Sequence, residues 1–415
     1  MNSIAFSRIL LFIGILLLID LLAFRNLRAG LPATGFWLHK VPLWIFWLLS
    51  ILTYSIISYG IINFKDFKPN IYREVYFFFG VFILLYVPKL VMIFFQTAQD
   101  IFNGFIWIAN KLNPAEIGGG GAPISRGVFL SRLGLMLAAI PFASILYGML
   151  YGRFNYKINH QIVKLPNLPD AFKGFRIVQI SDIHVGSFLD NHEAVSKGIE
   201  IINEQKPDLV LFTGDLVNNY PEETNGWAEV FSAINAPMGK LAVLGNHDYC
   251  EYGYFESQEA RLAAFEGVVK AYADLGFDLL RNETRTIEKE GAILDILGVE
   301  NWGLPPFPQK GDLSRAMQKS QAPVRILMSH DPSHWEAQVI GNTDIALTLS
   351  GHTHGMQFGV EIGNWKWSPV KYRYPRWAGM YTEGNQKLYV NRGFGYIGFP
   401  GRVGIMPEIT VLELS

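Results

Sequence analysis

The first 150 residues hold four stretches that are each long and apolar enough to cross a bilayer, and nothing else in the chain constrains its fold so strongly. A spanning helix needs about 20 mostly apolar residues. The stretches cover residues 4–24, 41–62, 75–95 and 128–150. The second carries no charge, the third is interrupted by Pro88 and Lys89, and the fourth has Arg132 one turn inside. Lys89 and Arg132 are expected to anchor or pack helices, by snorkelling or by facing a polar interior. The first stretch lacks a strongly basic start and a small-residue cleavage site, so it reads as a retained helix and not a signal peptide. Residues 101–108 are too short to cross and are expected at the interface, with Gly118–Gly121 as a flexible run in the loop that follows.

Charge divides the chain at the same place. Only 17% of all residues are charged, below the roughly 25% of ordinary soluble domains. Residues 1–150 have a formal net charge of +6 and the remainder −7. A single soluble domain is therefore excluded, and the acidic remainder argues against a nucleic-acid partner. The lone Cys250 excludes an intramolecular disulfide framework and a cysteine-based zinc cluster. Four spans put both ends of the chain on one side. Arg8, Lys65, Lys68, Arg73, Arg153, Lys157 and Lys164 would lie on that side, and Arg25, Arg28, Lys40, Lys111 and Arg126 on the other. Seven against five predicts a multi-pass protein of the cell membrane with both ends in the cytoplasm.

The organisation expected is a membrane domain over 1–150, a connector over 151–172 and an α/β domain over 173–415. Within the connector, 156–165 could already form an edge strand. Apolar runs of strand length recur at 175–180, 209–212, 241–244, 293–299, 324–328, 345–349, 388–390 and 409–412, with helical patterns at 191–205 and 258–275. That alternation predicts buried sheets.

Five of these strands run directly into side chains that bind metals. They end in Ser181-Asp182-Ile183-His184, Thr213-Gly214-Asp215, Gly245-Asn246-His247-Asp248, Ser329-His330-Asp331 and Ser350-Gly351-His352-Thr353-His354. Open α/β sheets bind ligands beyond the carboxyl ends of their strands, so the five ends can converge on one crevice. Asp182, His184, Asp215, Asn246, His330, His352 and His354 offer four imidazoles, two carboxylates and an amide oxygen. Mixed nitrogen and oxygen donors suit Mn, Fe, Zn or Ni better than Mg or Ca. Seven donors are too many for one ion that keeps a water, and they fit two divalent ions sharing a carboxylate, an arrangement suited to displacement at phosphorus.

The ordered set Asp-x-His, Gly-Asp, Gly-Asn-His-Asp, His and Gly-His-Thr-His resembles the calcineurin-like metallophosphoesterase family. With the spans before it, the chain is similar to that family's transmembrane branch, a likeness extended by Leu165-Pro166-Asn167-Leu168-Pro169 and Pro407-Glu408-Ile409-Thr410. The resemblance implies a four-layer α-β-β-α sandwich. It implies Asp182, His184, Asp215 and His354 around one metal, and Asp215, Asn246, His330 and His352 around the other. It further implies a metal-bridging hydroxide as nucleophile and His247 as donor of a hydrogen bond or proton to the phosphate or leaving oxygen, with Asp248 orienting it. Met356 departs from the family pattern, in which a second glycine is common there, and this bears on substrate fit.

Two further features invite a role. Residues 364–381 interleave Trp365, Trp367, Tyr372, Tyr374 and Trp377 with Lys366, Lys371, Arg373 and Arg376, and form either a lip for lipid head groups or phosphate or a loop packed on the sheet. Arg392, following another strand, is a candidate phosphate contact. His39, His160, His192 and His334 read as structural or surface residues. The reading is a membrane-anchored phosphodiesterase or pyrophosphohydrolase. Its expected partners are membrane lipids and a phosphorylated, lipid-linked substrate such as UDP-diacylglucosamine of lipid A assembly, which some members of the wider family hydrolyse. The alternatives are a membrane sensor or transporter whose phosphoesterase-like domain only binds, and a tethered nuclease.

Overall fold

A computed structural model describes residues 3–32, 35–62, 72–112, 126–189, 191–363 and 365–415. Gly118–Gly121, Lys65 and Lys68 lie outside the described residues. The chain divides into two compact units, Met1–Leu146 and Tyr147–Ser415.

The first unit is built from α1 (Ser3–Gly30), α2 (Val41–Ile62), α3 (Tyr72–Leu112) and all but the last turn of α4 (Arg126–Leu150). All four are long and apolar enough to cross a membrane. Helix α3 has 41 residues, about 60 Å at 1.5 Å per residue and twice the thickness of a hydrocarbon core. Residues 101–108, expected at the interface, continue this helix without a break. Gln96 and Asp100 give this extension a polar side, and Asp100 accepts both guanidinium nitrogens of Arg25 at 2.7 and 2.9 Å. Lys89 faces the interior. Its Nζ lies 2.6 Å from Asp20 Oδ1 and 3.1 Å from Ser50 Oγ, and Tyr86 OH donates to the same carboxylate at 3.1 Å. The buried lysine is thus paired and hydrogen-bonded, as a charge among apolar helices must be.

The second unit contains two sheets of six described strands each. Its strands are β1 (Lys157–Val163), β2 (Arg176–Ile180), β3 (Leu209–Phe212), β4 (Lys240–Ala242), β5 (Asp278–Leu279), β6 (Glu283–Lys289), β7 (Ala292–Gly298), β8 (Arg325–Met328), β9 (Leu347–Ser350), β10 (Val360–Ile362), β11 (Trp365–Trp367), β12 (Gly379–Glu383), β13 (Gln386–Val390) and β14 (Glu408–Leu414). One sheet runs β1-β14-β2-β3-β4-β5 and the other β12-β13-β9-β8-β7-β6, while β10 and β11 form a separate ribbon. Strands β2 to β5 are mutually parallel, as are β7, β8, β9 and β13. Their carboxyl ends therefore share one side of each sheet.

The period-two pleat explains the layers. Leu209 and Leu211 point between the sheets with Ile326 and Met328, whereas Val210 and Phe212 point outward into the cluster that includes Ile199, Val268 and Tyr272. Leu327 faces the opposite way from its neighbours, onto Trp335 and Leu313. Helices α5 (His192–Glu204) and α7 (Gln258–Asp274) supply the outer layer on the first sheet. The short helix α6 (Ala228–Ser232) adds Phe231 to that layer, and α8 (Leu313–Met317) covers the second sheet. The unit is a helix–sheet–sheet–helix sandwich with apolar clusters between the sheets and under the helices, so truncating a buried leucine such as Leu211 to alanine costs about 2–5 kcal/mol.

Candidate active site

The loops after β2, β3, β4, β8 and β9 meet above the gap between the sheets. Five of the seven expected donors occupy left-handed backbone conformations: Asp182 (φ 51°), His184 (φ 48°), Asp215 (φ 63°), His352 (φ 70°) and His354 (φ 50°). Asp and His tolerate that conformation better than most residues with a side chain, yet five in one site is a concentration that persists only where surrounding structure imposes it. Two glycines admit the crowding. A Cβ on Gly245 would lie 2.1 Å from Asp215 Oδ1, and one on Gly351 would lie 1.8 Å from Ser181 Oγ and 2.4 Å from Asp182 Oδ2.

The donors come together in two overlapping groups. Asp182, His184 and His354 offer ligand atoms within 4.8 Å of one another, and so do Asp182, Asp215 and His330. His354 Nε2 lies 3.0 Å from His184 Nε2 and 3.2 Å from Asp182 Oδ1. Asp215 Oδ2 stands between the groups, 3.5 Å from His184 Nε2 and 3.2 Å from His330 Nε2. Asn246 Oδ1 and His352 Nδ1 face each other at 2.8 Å.

The hydrogen bonds behind these atoms set their orientation. His184 Nδ1 bonds Val217 O at 3.1 Å and His330 Nδ1 bonds Thr213 O at 2.7 Å, which places their protons there and leaves each Nε2 as a lone pair aimed inward. His352 is turned the other way, its Nε2 held by Tyr374 OH at 2.7 Å and its Nδ1 aimed inward. His330 Nε2 is buried without a hydrogen-bond partner, although a carboxylate oxygen lies 3.2 Å away. Lone pair facing carboxylate is repulsive unless positive charge intervenes. Burial pushes the His330 imidazole down, but the Asp215 carboxylate outweighs it and raises the group to about 10. Burial likewise opposes ionisation of Asp182 and Asp215, and the facing imidazoles, His354 for the first and His330 for the second, hold both carboxyls below their usual range. The site calls for a cation at its centre, and a divalent ion supplies one while the imidazoles stay neutral. The donor set fits divalent metals.

His247 stands beside the donors. Its backbone N–H donates to Asp215 Oδ1 at 2.9 Å, its ring packs at 5.0 Å on His184, and Nδ1 bonds Asn218 O at 2.7 Å, so Nε2 is the nitrogen free for proton exchange. Asp248, expected to orient it, does something else. The Asp248 carboxylate accepts the backbone N–H groups of Asp215, Gly245 and Leu216 at 3.0, 2.8 and 2.9 Å, and Tyr272 OH at 2.7 Å. It braces two donor loops against each other, and the ring of His247 is oriented by Asn218. Burial first, and then the nearby Asp215 charge, push the Asp248 carboxyl up to about 6.

Arg392 is also corrected. Its Nε donates to Glu408 Oε2 at 2.5 Å and its Nη1 to Glu361 Oε2 at 2.6 Å, and it is 8% exposed. With its fork committed to two carboxylates, it does not serve as a phosphate contact. Within 365–381 the structure divides the residues: Trp377 and Tyr374 are buried, whereas Trp365 and Tyr372 are exposed. Three functional contacts escape sequence reasoning. Tyr374 and Asp331 both reach His352 Nε2, and Tyr252 OH accepts from Asn246 Nδ2 at 3.0 Å. Tyr374 lies in the stretch that its aromatics single out and Asp331 in the strand-end run Ser329-His330-Asp331; Tyr252 gives no signal in the sequence.

The description "Calcineurin-like phosphoesterase" matches residues 175–356, and "Probable Calcineurin-like phosphoesterase, transmembrane domain" matches residues 6–153. The chain is 33% identical over 306 residues to the metallophosphoesterase YkuE of Bacillus subtilis, covering 70% of this chain and 98% of that protein. It is 26% identical over 279 residues to the transmembrane protein with metallophosphoesterase domain of Danio rerio, covering 65% of this chain and 60% of that protein. It is 27% identical over 260 residues to phosphodiesterase YaeI of Escherichia coli, covering 60% of this chain and 86% of that protein. Four long apolar helices, paired sheets with histidines and carboxylates at their strand ends, and these matches together make the chain a multi-pass membrane member of the calcineurin-like metallophosphoesterase family.

Proposed function

We propose that the chain hydrolyses phosphodiester bonds with two divalent ions, one held by Asp182, His184, Asp215 and His354 and the other by Asp215, Asn246, His330 and His352. The observation that carries this reading is the position of Asp215 Oδ2 between His184 and His330, which offers one carboxylate to both groups of donors. Ions bound there supply Lewis acidity toward phosphoryl oxygens and lower the pKa of water toward about 7. The protein side chains then account for the rest. Attack by water oxygen forms one P–O bond and breaks the ester P–O bond. His247 in its doubly protonated form gives its Nε2 proton to the departing oxygen, and the proton released by the attacking water restores it, while Asn218 O holds the Nδ1–H and keeps the ring in place. No serine or cysteine nucleophile is required.

A diester preference is supported by the name of the Escherichia coli relative. UDP-diacylglucosamine gains no support from the site or from the relatives named above. Placement of the second unit in the cytoplasm rests on the seven-to-five excess of basic residues. The test is turnover of bis(p-nitrophenyl) phosphate by the purified chain with Mn. Hydrolysis abolished by chelator and by Asp215→Ala is expected; turnover that persists in both would overturn the assignment.

A further inference from the structure

The ribbon of β10 and β11 is built inside out. Its register pairs Val360 with Trp367, Glu361 with Lys366, and Ile362 with Trp365. Directly opposed residues share a face, so Val360, Ile362, Trp365 and Trp367 form one face and Glu361 and Lys366 the other. In a ribbon lying on a soluble domain the apolar face turns inward. Here the contacts show the reverse. Glu361 is bound by Arg392 Nη1 at 2.6 Å, and Lys366 donates to the backbone oxygen of Ala378, so the charged face is the one fixed to the protein. Three of the four apolar side chains are left in the open: Ile362 is 71% exposed, Trp365 58% and Val360 43%, while Trp367 is half-buried.

An isolated two-stranded ribbon is marginal in water, and exposed apolar side chains do nothing to hold it. Its hold comes from the charged side: Glu361, itself partly exposed, pairs with the buried Arg392, and the Glu361–Arg392–Glu408 chain of ion pairs reaches into the core, where Glu408 is fully buried. The fold thus devotes a buried guanidinium to presenting three large apolar side chains to the outside. Such a patch marks an interaction surface.

We infer that this ribbon docks on a lipid bilayer, with Ile362 and Trp365 seated at the boundary between head groups and acyl chains. The chain itself supplies the occupant. Four of its helices are apolar spans, and only six residues separate the end of α4 at Leu150 from β1 at Lys157, a reach of no more than about 25 Å. The chemistry matches as well. Tryptophan is a preferred residue at membrane–water interfaces, and basic residues beside an apolar face are the pattern by which amphipathic helices settle into the head-group boundary. The segment directly after β11 adds exposed Lys371, Tyr372 and Arg373, suited to anionic head groups. The ribbon follows the loop of His352 and His354 by a few residues, so docking holds that loop close to the lipid surface.

Site-directed spin labelling of the full chain reads this directly. Cys250 is fully buried, so a nitroxide attaches selectively to Ile362→Cys or, as a second site guarding against local misfolding, to Trp365→Cys. Glu288→Cys, exposed on β6 at the far edge of the second sheet from β12, is the reference. The protein is reconstituted in vesicles of phosphatidylcholine with one quarter phosphatidylglycerol. Collision with oxygen, which concentrates in lipid, is compared with collision with a water-soluble nickel chelate. The inference predicts that oxygen dominates at positions 362 and 365 and nickel at 288. Equal, water-like accessibility at all three positions would overturn it. Strong dipolar broadening at 362 that disappears on dilution with unlabelled protein would also overturn it, assigning the face to a second copy of the chain. The labels report position whether or not the protein turns over substrate, so failure here is distinct from failure of the proposed hydrolysis.

Discussion

Asn246 Oδ1 and His352 Nδ1 face each other across 2.8 Å, although one follows β4 in the first sheet and the other β9 in the second. The candidate site is therefore a joint between sheets, and each donor pair reports on their alignment. Substituting Asn246 or His352 by alanine is expected to lower metal content by about one ion per chain and turnover by at least about 100-fold, since the two-metal clamp is lost. Metal analysis of the purified variants, with circular dichroism to confirm folding, checks this.

Tyr374 bears on metal affinity. Its hydroxyl fixes His352 Nε2 at 2.7 Å, so that Nδ1 is the nitrogen presented inward. Removing such a partner typically costs about 10–100-fold in metal affinity or activity. Tyr374→Phe is expected to raise the Mn concentration needed for half-maximal activity by that factor and to recover most of kcat at saturating Mn. A loss of kcat unaffected by metal would contradict this role.

His247 is predicted to separate chemistry from metal binding. His247→Ala should retain full metal content yet lose about 10²–10⁴-fold in activity on a diester with an alkyl leaving group. The loss should shrink markedly with p-nitrophenolate, which departs without a proton. Parallel rates on the two substrates test the assignment. An equal loss on both would argue that the residue acts on something other than the leaving oxygen.

Arg392 and Glu408 predict a stability effect with a defined pH window. Burial opposes ionisation of Glu408, but Arg392 prevails and holds its carboxyl below the usual value of 4.5. A carboxylate with a depressed folded pKa contributes stability in full above that value, and the contribution fades as pH falls through the folded pKa. Arg392→Ala leaves the carboxylate buried without its guanidinium and should cost about 3–5 kcal/mol at pH 7, with KM unchanged in the folded fraction. The deficit should narrow below pH 4.5, measured by denaturant unfolding at several pH values.

Much of this site was legible because apolar runs of four to six residues end abruptly in Asp, His and Asn, and parallel strands bring such ends to one side. Sequence could not show what those ends lean on. Asp248 sits next to His247 in the chain, yet its carboxylate bonds the backbone of residues 215 and 216, more than thirty positions away. Arg392 follows a strand as a phosphate contact would, but Glu361 and Glu408, both distant in sequence, claim its fork. Helix α3 outran its expected end because Gln96 and Asp100 lowered the local apolarity without breaking the helical period, and the Arg25–Asp100 pair that accommodates them is tertiary. Charge in the membrane part was likewise visible, whereas the pairing of Lys89 with Asp20 was not.

The most direct test is the metal content of the purified, metal-replete chain measured beside that of Asp215→Ala. The account predicts about two divalent ions per chain, falling below one when the shared carboxylate is removed, with hydrolysis lost in step. No bound ion in the unaltered chain, or an Asp215→Ala chain that keeps both ions and full turnover, would contradict it.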